Sequence, residues 1–357
     1  MLSGARPAGE TRAKTLFTIL LPIVRPPTLL PYAIESVITQ TEADFELCIV
    51  CDGAPAETVA CAERYAAADP RVRVFAFEKG ARYGEAHRAA VLEGSSALFV
   101  AQLGDDDLWF PEYLAEAARM LEVADFGNLL QVELTTDGGL HVLAGDLSDT
   151  DTRERMINSK WNFFGPPVAS YRLSAYRALP EGWTPAPVDV WSDLHMWRKF
   201  LMAADLVFAT RFSIQCLKVA ANVRGHMSLD ERCAETRRMA GRIASEDGRA
   251  ALRAAAMRTW FERSRRMLAD EQAKYERMNA AYDALKATRD VLRDQRDDLR
   301  AQRDSWRRRL DLVTGRTLAR EVASLFRKPG SASATEVGDG GVVSGEAGDE
   351  VDEKGGA

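Results

Sequence analysis

Between residues 17 and 103, four short apolar runs alternate with three amphipathic ones, and this alternation constrains the fold more than any other feature. Residues 17–24, 45–50, 72–77 and 97–103 are apolar and rich in β-branched side chains, without a polar residue at every second position. That is how strands covered on both faces read. Residues 29–40, 56–68 and 83–93 place apolar side chains at helical spacing. The order predicts an α/β fold in which a mostly parallel sheet is flanked by helices.

After Asp107 the rhythm changes. Pro111 suits the first turn of a helix reaching residue 123. Residues 129–135 and 140–143 read as a hairpin around Asp137-Gly138-Gly139. Residues 148–155 are polar and read as a loop, 191–202 as a helix, and 206–219 as one or two strands. Residues 251–312 contain neither Pro nor Gly, and Met278, Leu285, Leu292, Leu299, Trp306 and Val313 recur every seven residues. The companion positions hold Tyr282, Arg289, Arg296, Arg303 and Leu310, so the pattern favours a long helix over a tight zipper. Gly315 interrupts it, and Leu318, Val322, Leu325 and Phe326 then line one face of a basic amphipathic segment ended by Pro329.

The resulting organisation is a flexible N-terminus (1–14), an α/β domain (15–228), a helical or coiled-coil arm (229–314), a basic amphipathic helix (315–329) and a disordered acidic tail (330–357). The charge follows these divisions. The whole chain carries a formal −6, and residues 331–357 alone account for it, whereas 303–328 carry a net +5. A uniformly basic nucleic-acid binder is thereby excluded. The basic segment suits an anionic membrane surface, and packing on protein accounts for it equally well. No apolar run reaches the ~18 residues of a membrane span, and the N-terminus lacks the pattern of a secretory signal. Five cysteines fit a reducing compartment. The expected location is cytoplasmic, with peripheral contact at the inner face of the plasma membrane through 316–328.

Two strand ends carry the chemistry. Asp105-Asp106-Asp107 follows one apolar run directly and precedes a helix. Ligands of open α/β sheets sit beyond the carboxyl ends of strands, and clustered carboxylates there call for a neutralising cation such as Mg²⁺ or Mn²⁺. A helix cap needs only one of the three. Cys51-Asp52-Gly53 ends another run; its Asp fits either a turn or a nucleoside contact. Cys48 and Cys51 lie in a strand with no second pair, which argues against zinc. No Gly-rich loop of a P-loop NTPase or a dinucleotide-binding domain occurs.

Taken in order, Phe17-Thr18-Ile19-Leu20-Leu21-Pro22, Ser36-Val37-Ile38-Thr39-Gln40-Thr41, residues 44–53, Leu103-Gly104-Asp105-Asp106-Asp107 and Pro111-Glu112-Tyr113-Leu114 resemble the family 2 glycosyltransferases of GT-A fold. The resemblance implies a metal-dependent, inverting transfer from a nucleotide-diphosphate sugar to a hydroxyl of a polysaccharide or glycolipid. It implies that Pro22, Ile23, Asp52, Arg82, Arg88, Asp105 and Asp106 bind the donor. Asp105, Asp107 and His226 would hold Mn²⁺ or Mg²⁺. Asp193, in Trp191-Ser192-Asp193-Leu194, would be the general base, with Asp189 in reserve. Trp161, Trp183, Trp191 and Trp197 fall in the acceptor half, where they fit sugar stacking or core packing equally. The sequence departs from the family at Cys51, where an Asp is usual, and at Glu85 and Ala86, near the usual Arg-Asn pair. Those departures also permit a catalytically inactive transferase-like binding or scaffold protein that assembles through its C-terminal helix. The heptads permit a homo-oligomer through the arm.

Overall fold

A computed structural model describes residues 15–143 and 145–326. The expected N-terminal segment, the acidic tail, and Arg327 and Lys328 of the basic segment lie outside the described residues. The chain forms two compact units, one ending at Asp270 and the other beginning at Glu271.

The first unit is built on a nine-stranded sheet. Strands β1 (Phe17–Ile23), β2 (Phe45–Asp52), β3 (Val72–Phe77) and β4 (Phe99–Gln102) are parallel, in the order β3-β2-β1-β4. Helices α1 (Leu30–Ile38), α2 (Ala56–Ala68) and α3 (Glu85–Glu93) connect them. β1 and β2 are buried almost throughout, which explains why they show no alternation. Helix α3 begins two residues later than its pattern suggests. Gly84, at φ +68°, caps it in the left-handed region and fixes the turn.

The second half of the sheet is mixed. It comprises β5 (Leu108–Trp109), β6 (Phe126–Leu134), β7 (Leu140–Val142), β8 (Ala169–Arg172) and β9 (Phe208–Lys218). Helices α4 (Tyr113–Leu121), α5 (Thr150–Asn158), α6 (Leu173–Ala178) and α7 (Ser192–Leu201) cover it. Residues 150–158 are a helix where sequence predicts a loop. The Asp149 side chain accepts the Thr152 N–H and caps the first turn, and Met156 anchors the helix in the core. The apolar content is too low to announce the helix; one buried methionine and a cap suffice.

β8 runs antiparallel to β4 and to β6, and β9 is parallel to β6. Two reversals restore the original direction. The carboxyl ends of β1, β2, β4, β6 and β9 therefore lie at one edge of the sheet, together with the amino end of β8. This edge holds the candidate site.

Helix α8 (Leu229–Ala244) starts with a capping box between Ser228 and Glu231, and α9 (Glu246–Val313) follows. In the first unit, Met239, Ile243, Leu252 and Ala256 pack with β6, β7 and β9 residues in a second core. In the second unit, α9 continues to Val313. Gly315, at φ +68°, ends it, and α10 (Arg316–Leu325) follows. Among the described residues, no helix is long and apolar enough to cross a membrane.

Candidate active site

The ends of β1, β2 and β4 bring Pro22, Ile23, Asp52 and the aspartate run to one edge. Pro22 is half-buried and Ile23 buried. The register pairs them with Val50 and Cys51, so both stand beside Asp52. Asp52 is buried, and both of its oxygens have partners. Lys79 Nζ donates to Oδ2 at 2.7 Å, the Gly80 N–H to Oδ1 at 2.6 Å, and His87 Nε2 stands 3.3 Å from Oδ1. A Cβ on Gly84 would come within 2.6 Å of the Asp52 carboxyl carbon. Only glycine fits that backbone over that carboxylate.

Asp105 forms a two-pronged pair with Arg25, Nε to Oδ2 at 2.5 Å and Nη2 to Oδ1 at 2.6 Å. Arg25 also lies 3.1 Å from Asp106. The Asp105 contact holds the guanidinium above its usual range, against burial. Burial in turn raises the Asp105 carboxyl despite Arg25. Asp107 is more deeply enclosed. Burial, and then the Asp106 charge, push its carboxyl well above the usual range. Lys218 and the Val219 N–H, which donates to Oδ1 at 3.1 Å, work in the opposite direction. The pairing of Leu108 with Leu217 brings Lys218 next to Asp107.

A cavity of about 770 Å³ opens beside this cluster. Arg82, Arg88 and Asp193 line it, with Gln131, Glu133, Lys160, Asn162, Trp191 and Lys218. Asp193 sits in the first turn of α7, half-buried. Asn162 Nδ2 donates to its Oδ2 at 3.2 Å and the Leu194 N–H to its Oδ1 at 2.8 Å. Burial raises its carboxyl above the ordinary range, with Lys218 among the groups opposing the shift. Burial also works against the Lys218 charge. Glu133, whose Oε1 accepts from Nζ at 3.2 Å, and Asp107 nevertheless hold that ammonium above its usual range.

Arg88 is buried, with its guanidinium 4.2 Å from the Trp183 ring and Nη2 donating to the Tyr83 carbonyl at 3.3 Å. Its Nε has no hydrogen-bond partner, nor does that of Arg82. Arg82 adopts φ +54°, held by a bond from Nη2 to the Pro187 carbonyl at 3.2 Å. Two cavity-lining arginines thus retain unused donors.

The sequence-derived residues fall into groups. Arg82, Arg88 and Asp193 share the cavity, whereas Pro22, Ile23, Asp52, Asp105, Asp106 and Asp107 form the adjoining strand-end cluster. His226 is exposed and lies two residues before Ser228, the cap of α8. Asp189 is exposed and is not among the cavity-lining residues. Among the described residues, no three His, Cys, Asp or Glu side chains are grouped as ligands of one metal. Trp183 and Trp197 are core residues, while Trp191 is exposed at the cavity with Lys160 Nζ 5.5 Å from its ring. Sequence reasoning missed Arg25, Lys79, Glu133, Asn162 and Lys218. The last had a signal, since it ends a predicted strand.

Residues 18–179 match the family described as glycosyl transferase family 2. This stretch resembles a family 2 glycosyltransferase domain. Over 109 residues the chain is 34% identical to an uncharacterised protein, y4gI, of Sinorhizobium fredii, covering 30% of this chain and 12% of that protein. Among solved structures, the S. aureus TarS fragment 1–349 is similar at a TM-score of 0.48 and 16% identity, over 57% of this chain and 60% of that one. The mannosyltransferase PcManGT from Pyrobaculum calidifontis, in complex with GDP-Man and Mn²⁺, is similar at 0.43 and 16% identity, over 70% of this chain and 83% of that one. The chain thus spans less than two thirds of either y4gI or the TarS fragment. The matched stretch contains the strand-end cluster, Arg82, Arg88 and Asn162, while Asp193 and Lys218 follow it in sequence.

Proposed function

We propose that this chain transfers a sugar, with inversion, from a nucleotide-diphosphate sugar to a hydroxyl of a polysaccharide or glycolipid. The observation that carries the reading is Asp193, half-buried in a cavity otherwise rich in cations and held by Asn162. Asp193 takes the proton of the acceptor hydroxyl as its oxygen attacks the anomeric carbon. The bond from that carbon to the diphosphate oxygen breaks, and its electron pair leaves with the nucleoside diphosphate. Arg82, Arg88 and Lys218 supply positive charge for the departing diphosphate, and Arg82 and Arg88 each keep an unpaired Nε–H. Asp52, Pro22 and Ile23 are the residues proposed for the nucleoside. Trp191 offers an aromatic face for the acceptor.

The aspartate cluster fits a divalent cation in chemistry. All its donors are hard oxygens, and the Asp107 carboxyl, raised by burial, is the group that a neighbouring cation would return to its charged form. Asp106 and Asp107 would hold Mn²⁺ or Mg²⁺, joined by Asp105 when it is released from Arg25; His226 is the remaining candidate. When bound, the ion would neutralise charge on the diphosphate.

The Arg25–Asp105 pair also favours a second reading, in which a cation from the protein replaces the metal and the domain binds without turnover. Incubating purified full-length protein with nucleotide sugars and Mn²⁺ separates the two. Donor hydrolysis or transfer that is lost in Asp193→Asn supports the enzyme. Nucleotide binding without turnover supports the binder.

The exposed face of α10, with Leu318, Val322, Leu325 and Phe326 beside Arg316 and Arg320, suits peripheral contact with an anionic membrane.

A further inference from the structure

We infer that α9 pairs with the same helix of a second copy of this chain, in a parallel, in-register, two-stranded coiled coil from about Tyr275 to Val313. Met278, Leu285, Leu292, Leu299, Trp306 and Val313 stand 59–85% exposed on this helix. Six large apolar side chains at exact heptad spacing, all in water, require a covering surface. They occupy one of the two seam positions of the heptad, the d position.

The other seam position, a, holds Arg289, Arg296 and Arg303 at its centre. Each arginine is tied to the next residue. Arg289 Nη2 lies 2.9 Å from Asp290 Oδ1, Arg296 Nη2 2.8 Å from Asp297 Oδ1, and Arg303 Nη2 2.8 Å from Asp304 Oδ1. The aspartates stand at the adjacent outer position. Each guanidinium is therefore drawn off the seam and matched in charge, leaving its aliphatic stem to pack. The seam is less charged than its sequence suggests.

The flanking positions select the occupant and its direction. On one flank, e, stand Lys286, Arg293, Arg300, Arg307 and Thr314; on the other, g, stand Ala281, Thr288, Gln295, Gln302 and, at the end, Arg309. A parallel pairing sets each cation of one copy opposite Ala, Thr or Gln of the other, and the Gln carbonyls accept from the arginines. An antiparallel pairing sets the cationic flank against itself. The parallel pairing also sets Arg289, Arg296 and Arg303 opposite their counterparts, but each of these is matched by its own aspartate, so the larger unmatched repulsion lies in the antiparallel pairing and the parallel second copy is the occupant that fits.

Light scattering and sedimentation equilibrium on the full chain at ~10 µM test this inference. The expected mass is twice 39.4 kDa. Leu292→Asp with Leu299→Asp is expected to return it to a single chain. Because those changes also weaken the helix, a second variant is needed. Arg289→Leu, Arg296→Leu and Arg303→Leu together are expected to tighten association at least tenfold. In a Cys233→Ser background, Leu299→Cys is expected to cross-link on mild oxidation and Asp294→Cys, on the outer face, is not. A single-chain mass for the unaltered protein, a mass of three chains, a dimer that survives both Asp substitutions, or no cross-link at 299 overturns the inference.

Discussion

Arg25 closes on Asp105 through two hydrogen bonds, one at 2.5 Å and one at 2.6 Å, across 80 residues of sequence. Asp105 is buried, so removing the guanidinium leaves a carboxylate there without its principal cation. Arg25→Met is expected to lower the melting temperature, by about 2–4 °C for each kcal/mol lost. Millimolar Mn²⁺ is expected to restore part of the loss by mass action. A melting temperature that responds to Mn²⁺ no more in the variant than in the native chain contradicts this account of the cluster.

Asp107→Asn removes the most enclosed carboxylate of the cluster. Transfer is expected to fall by at least about 100-fold, with the Mn²⁺-dependent part of donor binding lost as well. A transfer assay with a nucleotide sugar reads the first, and calorimetric titration with a nucleoside diphosphate, with and without Mn²⁺, reads the second. Full activity in the variant rules out a metal role for this residue.

Asp193 has its carboxyl raised by burial, so its proton is retained to higher pH than the ordinary value of about 3.9 allows. A base is inactive while protonated. The acid limb of the kcat/KM profile is therefore expected above the ordinary carboxylate range. Lys218 favours the charged form, so Lys218→Met is expected to move that limb to still higher pH. An unmoved limb separates Lys218 from Asp193.

Asn162 holds one oxygen of Asp193 at 3.2 Å. A hydrogen bond to a charged group contributes about 1.5–3 kcal/mol. Asn162→Ala is thus expected to lower kcat by about 10-fold to 100-fold, leaving nucleotide affinity near native. Equal losses in both would show a damaged cavity instead of a misplaced base.

Truncation after residue 312 removes α10 and everything beyond it. Flotation with vesicles containing anionic lipid is expected to carry the full chain and leave the truncated one behind. Equal flotation of both contradicts membrane contact through 316–328.

The strand-end residues were legible because their signals are local. A buried parallel strand reads as an apolar run, and polar residues immediately after it mark its carboxyl end. Asp105-Asp106-Asp107 could be named on that basis, and Asp52 and Asp193 through the family resemblance. Their partners could not. Lys79 and Arg25 are ordinary surface-type residues in sequence, and nothing local distinguishes them from other cations. Helix α5 escaped notice for a related reason, since its support is a cap and a single buried Met156.

By itself, then, the sequence determined the alternating strands and helices, the glycine turns and the placing of carboxylates at strand ends, all of which follow from periodicity and short-range backbone preference. Tertiary structure decided what surrounds those carboxylates. β8 reverses the direction of the sheet and β6 and β9 restore it, which brings Glu133 and Lys218 to the edge reached by β1, β2 and β4. The registers of those strands set Lys218 beside Asp107, and the segment leading into β8 carries Asn162 to Asp193. The charge state of each site residue depends on those long-range neighbours and on burial, which is why the chemistry of the cavity emerged only with the fold.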